Sequence, residues 1–127
     1  MNILTQTPPR SFIVGHSDHP ITLHDCAHLT LEPNEQITLI GPEGSEVDIT
    51  RKSWGYYAMS SLNSRLLNFG LNAVLVRSQH DNKFFILLVE NGKEAEFEDY
   101  LKDTHQEIII WLNSDATLSK IQRLNQE

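Results

Sequence analysis

The sequence predicts an α+β fold with a predominantly antiparallel sheet and about three helices, and three observations lead there. Short apolar alternations broken by turn residues occupy the chain as far as Thr50. Helical periodicity appears only after Tyr57. Two almost fully apolar runs, Ala73 to Val76 and Phe84 to Val89, then read as strands covered on both faces. At 127 residues the chain has single-domain size, with a β-rich part over 1–50 and an α/β part over 51–127.

The elements follow in order. "SFIV" from Ser11, "ITLHDCAHLTL" from Ile21, Gln36 to Ile40 and Glu46 to Thr50 read as strands, separated by "GHSDHP", "EPNE" and "GPEGS". The last of these turns predicts a hairpin. Ser60 or Ser61 is positioned to cap a helix whose Leu62, Leu66 and Phe69 fall on one face, with Gly70 to end it. The two apolar runs form a hairpin across "RSQHDNK", placed at the centre of the sheet. A helix over Lys93 to Lys102 buries Phe97, Tyr100 and Leu101, the strand Glu107 to Leu112 follows, and Asp115 caps a last helix with Leu118, Ile121 and Leu124 inward. Counted from Glu46, the order matches the split βαβ order of ferredoxin-like folds. The "GPEGS" hairpin competes with that topology, because the first strand of such a sheet is already flanked; either the N-terminal strands make a separate small sheet packed against the helical half, or the sheet is mixed and ordered differently.

Charge bounds the partners. The formal net charge is −7, which argues against a general nucleic-acid binder, since phosphate backbones are met by broad positive fields. The charge is uneven: residues 49–80 contain no Asp or Glu but hold Arg51, Lys52, Arg65 and Arg77. The single cysteine, Cys26, has no intrachain partner, which excludes a disulfide framework and favours a reducing compartment. No leader or membrane-length apolar run is visible, so a cytoplasmic location and no membrane partner are expected.

The acid-free window contains the stretch "RKSWGYYAMSSLNSRL". Its parts suit a small anion: Arg51 and Arg65 for forked hydrogen bonds, Lys52 for charge, Asn63, Ser60 and Ser61 around a helix start with free N–H donors, and Trp54, Tyr56 and Tyr57 for stacking. The competing structural role is plain for each residue alone: a cap, a gap-filling ring, an ion pair. Together they define the expected ligand site. No nucleotide-binding glycine loop, nucleophile elbow or other catalytic motif overlaps it, and no cofactor is implied.

A second cluster contains His16, His19, His24 and His28 with Asp18, Asp25 and Cys26. On one strand, His24, Cys26 and His28 share a face, but His24 and His28 lie about 13 Å apart. A single ion would need a third ligand from His16 or His19, and the spacing matches no common zinc signature, so no metal is assigned. His80, Asp81 and Trp111 are explained by turn and core positions. The expected function is therefore a small binding or accessory module for a phosphate- or carboxylate-bearing metabolite, acting as a homodimer. The alternative is a metal-assisted lyase, isomerase or hydrolase built on His16 to His28.

Overall fold

A computed structural model describes residues 1–126. It contains eight strands and three helices among the described residues: β1 (Asn2–Val14), β2 (Ile21–Thr30), β3 (Gln36–Ile40), β4 (Glu46–Lys52), β5 (Gly55–Tyr57), α1 (Arg65–Asn68), β6 (Leu71–Ser78), β7 (Phe84–Glu90), α2 (Glu94–Asp103), β8 (Gln106–Trp111) and α3 (Asp115–Leu124). The α+β class holds, and every strand pairing is antiparallel. Among the described residues the strands form three separate sheets, β1–β2, β3–β4–β5 and β7–β6–β8, so the N-terminal strands do lie apart from the β6 sheet. β4 joins the sheet of β3 and β5, and β5 intervenes before α1, so the ferredoxin-like order counted from Glu46 is not reproduced along the chain or in one four-stranded sheet. No described helix is long and apolar enough to cross a membrane.

β6 is the strand around which the core forms. Val74 and Val76 on one face pack with Val89 and Leu101, backed by Leu87, Phe97 and Trp111. Leu71 and Ala73 on the other pack with Leu66, backed by Val47, Met59, Leu62, Leu88 and Leu112. A strand buried on both sides carries continuous apolar sequence, as Ala73 to Val76 does. Phe97 and Trp111 meet edge-on, with ring centroids 6.1 Å apart.

The centre of the sheet is β6 alone, however. β7 is an edge strand whose Phe84, Phe85 and Ile86 remain exposed. Its apolar sequence therefore does not mark two covered faces.

Three boundaries and the burial of two helices also differ from expectation. The helix expected from Ser60 or Ser61 is a single turn, because "SSLNS" offers hydroxyl and amide side chains that compete for backbone bonds, and so short a segment cannot offset nucleation. Ser61 still serves the turn: its Oγ accepts from the Arg65 N–H at 2.9 Å. β1 begins nine residues before Ser11 and absorbs Pro8 and Pro9 in a bulge between Thr5 and Arg10, where no ladder bond is needed. Ser114, not Asp115, caps α3 by accepting from Thr117 N–H at 3.1 Å. α3 also lies shallowly, with Ile121 and Leu124 exposed, and Tyr100 of α2 is exposed rather than core.

Candidate functional site

β4 sorts the predicted ligand residues. Side chains alternate along a strand, so Asp48, Thr50 and Lys52 share one face while Val47, Ile49 and Arg51 share the other. The "GPEGS" hairpin pairs Thr38 with Asp48 and Gln36 with Thr50, and the next turn pairs Thr50 with Tyr57. Gln36, Asp48, Thr50 and Tyr57 thus form one wall. The loop after β5 brings Met59, Ser60, Ser61 and Arg65 against it, bordering an open recess of about 240 Å³ lined mostly by polar residues.

Arg65 is the fixed point of this recess. Its Nε donates to Asp48 Oδ2 at 2.6 Å, and its guanidinium carbon stands 4.4 Å from the centroid of the Phe69 ring. Asp48 is only 8% exposed, yet three donors satisfy it: Arg65, Thr38 Oγ1 at 2.8 Å and Ser60 Oγ at 3.1 Å. The Arg65 hydrogen bond foremost, then that of Thr38, holds the Asp48 carboxyl below the usual aspartate range. The same pairing raises Arg65. A buried carboxylate satisfied in this way is a rigid anchor, and among the described residues it engages only Nε of the guanidinium.

Beside the polar recess lies an apolar one of about 470 Å³. The two share Tyr57, Met59, Ser60 and Ser61, and Leu62, Ile86 and Leu112 complete the apolar half.

Tyr57, Ser60, Ser61 and Arg65 are therefore brought together, and the other predicted residues are not. Arg51 lies on the opposite face of β4, 4.9 Å from the Tyr56 ring centroid and bonded to Gly55 O. Lys52 donates to Asn34 Oδ1 at 2.6 Å. Trp54 is exposed and meets Tyr57 edge-on outside the recess. Asn63 ties its loop to α3 through Asp115 at 3.0 Å. Sequence reading missed Asp48, Thr50, Gln36 and Met59. The register of the "GPEGS" hairpin carried the signal for Asp48, since it sets Thr38 directly opposite.

The histidines separate as well. His24 bonds Ser11 Oγ at 2.9 Å, and His28 bonds Asp25 Oδ2 at 2.9 Å along the β1–β2 ribbon. The bond from His28 is the main cause holding the Asp25 carboxyl low. His16 instead meets His80 and His105, which sequence did not group with it, at centroid separations of 3.9 and 6.5 Å. Asp18 bonds His105 at 3.1 Å and is lowered chiefly by that bond.

These contacts dock the ribbon's tip on the β6–β7 turn and the end of α2. They border a cleft of about 450 Å³ lined by Val14, Ile21, Phe85, Tyr100, Lys83 and Gln106 among others. Among the described residues, no group of three or more His, Cys, Asp or Glu is arranged to hold a metal ion. No protein-family model, curated protein or solved structure matches the chain.

Proposed function

We propose that this protein is a small non-enzymatic binding module that holds a phosphate- or carboxylate-bearing metabolite in the recess of Tyr57, Ser60, Ser61 and Arg65. The observation that carries the reading is the anchored arginine. Asp48 and Phe69 fix its Nε and its plane, leaving the terminal nitrogens for a two-point contact with an oxyanion. Because Asp48 balances the charge of Arg65, recognition rests on oriented hydrogen bonds more than on a positive field.

The adjoining apolar recess takes the uncharged part of the ligand, and the exposed Tyr57 ring on its wall offers a stacking surface. A nucleotide or sugar phosphate has this two-part character. Arg51 and Lys52, engaged elsewhere, are not needed for it. The enzymatic alternative has less geometric support, since His24 and His28 bond along the ribbon while His16 and His19 line the cleft at its tip.

We place the protein in the cytoplasm and infer that it self-associates as a homodimer. The grounds are its unpaired thiol and the uncovered apolar side chains of β1, β2 and β7, including Ile3, Phe12, Leu23, Leu29 and Phe84. The test of the binding reading is a thermal-shift screen of phosphorylated metabolites and nucleotide sugars on wild type and Arg65→Ala in parallel. A compound that stabilises only the wild type supports it; stabilisation of both variants equally would move the site elsewhere.

A further inference from the structure

β2 has one open edge. It pairs with β1 and has no other strand neighbour among the described residues. The outer edge of β1 is interrupted by Pro8 and Pro9, which supply no N–H. β2 contains no proline, and all ten of its residues are exposed or half-buried. An isolated two-stranded ribbon is marginal in water, whereas a wider sheet with an apolar face is self-supporting. This ribbon has such a face: the register sets Phe12 beside Leu23, Val14 beside Ile21 and Ile3 beside Leu29.

The sequence of β2 reads almost identically in both directions. Around Cys26 it runs Thr22, Leu23, His24, Asp25, then Ala27, His28, Leu29, Thr30, and Ile21 and Leu31 extend the symmetry as an apolar pair. Only Asp25 and Ala27 break it. Within one chain the symmetry has no counterpart, because β1 sets Ser11 opposite His24 but Leu4 opposite His28. A strand with this pattern is complementary to itself when antiparallel.

We propose that β2 pairs antiparallel with β2 of a second copy about a two-fold axis at Cys26, giving a continuous four-stranded sheet in the order β1–β2–β2–β1. Thr22 then faces Thr30 of the second copy, Leu23 faces Leu29, and His24 faces His28, each contact occurring twice as two-fold symmetry requires. Threonine pairs and apolar pairs are favourable cross-strand neighbours. The open edge is paired, the ribbon becomes a four-stranded sheet, and its apolar faces join on one side. The proposal rests on the self-association argued above and names its surface; it is independent of the Arg65 recess.

The register makes the test specific. Full-length wild type, a His24→Glu/His28→Glu variant and a His24→Lys/His28→Glu variant are compared by sedimentation, with circular dichroism as the check on folding. The first variant sets like charges directly opposite across the axis, and the second sets opposite charges there. Wild type is expected at twice 14.5 kDa, the Glu/Glu variant dissociating at least tenfold more readily, and the Lys/Glu variant dimerising as well as wild type. A short bis-maleimide should join Cys26 to Cys26 in wild type and Lys/Glu only. Monomeric wild type overturns both the surface and the self-association. A dimer that tolerates Glu/Glu and is not joined at Cys26 overturns the surface alone. If Glu/Glu fails to fold, the wild-type cross-link decides.

Discussion

Replacing Asp48 by Ala removes the anchor on which the candidate site depends. Three hydrogen bonds are lost, two from the hydroxyls of Thr38 and Ser60 and one from the Arg65 guanidinium. All three end on a carboxylate and are charge-assisted, each worth somewhat more than the roughly 1 kcal/mol of a neutral bond, but Arg65 is half exposed and water replaces part of its partner. The expected loss is about 2–4 kcal/mol, or roughly 10 °C in Tm for a domain of this size.

The acid dependence follows from the lowered Asp48 carboxyl. A carboxylate depressed in the folded state contributes stability in full above its unfolded value, and that contribution fades as pH falls through the folded value. Urea unfolding of both proteins at neutral pH and at several points below about pH 4 measures it. The gap between wild type and Asp48→Ala should be widest at neutral pH and close on acidification. A neutral-pH loss below about 1 kcal/mol, or a gap that does not change with pH, would refute the anchoring role.

Other substitutions have distinct expected outcomes. Leu66→Ala, which empties a fully buried site, should lower stability by about 3 kcal/mol in urea titration, whereas Leu124→Ala, 62% exposed, should change it by less than about 0.5 kcal/mol. His105→Ala removes both the ring beside His80 and the bond to Asp18, so amide exchange should speed up around Gly15 to His19 and stay unchanged at Ile3 to Thr5. A single-stranded oligonucleotide should bind poorly at physiological salt, checked by fluorescence anisotropy, because the acidic surroundings oppose a polyanion.

The parts of the fold legible in sequence are those governed by local pattern. The Gln36–Ile40 and Glu46–Thr50 hairpin closes where "GPEGS" placed it, with Gly44 at φ 98°, and Gly70 ends the α1 turn at φ 81°. β6 is recognisable because no polar residue interrupts Ala73 to Val76. Pattern could not show that β4 belongs to a different sheet from β6, since pairing partners are chosen by packing across the whole chain. It could not distinguish β7 from β6 either, because Phe84 to Ile86 are as apolar as a buried run while standing exposed.

In the candidate recess, composition and charge grouped Tyr57, Ser60, Ser61 and Arg65, which the fold brings together. Arg51 was misplaced because a strand of alternating faces separates residues that sequence lists side by side. His16, His80 and His105 come from three distant turns, so no spacing rule would have joined them.

The binding claim is tested most directly by calorimetric titration of wild type, Arg51→Ala and Arg65→Ala with the phosphorylated metabolite that gives the largest thermal shift. A ligand specific to the folded state stabilises it by about 2.7 kcal/mol at a hundredfold excess over Kd, so a true partner is readily selected. The account predicts that Arg65→Ala weakens that ligand roughly tenfold or more while Arg51→Ala leaves its affinity within about twofold of wild type. Unchanged affinity in Arg65→Ala, or an equal loss in both variants, would contradict it.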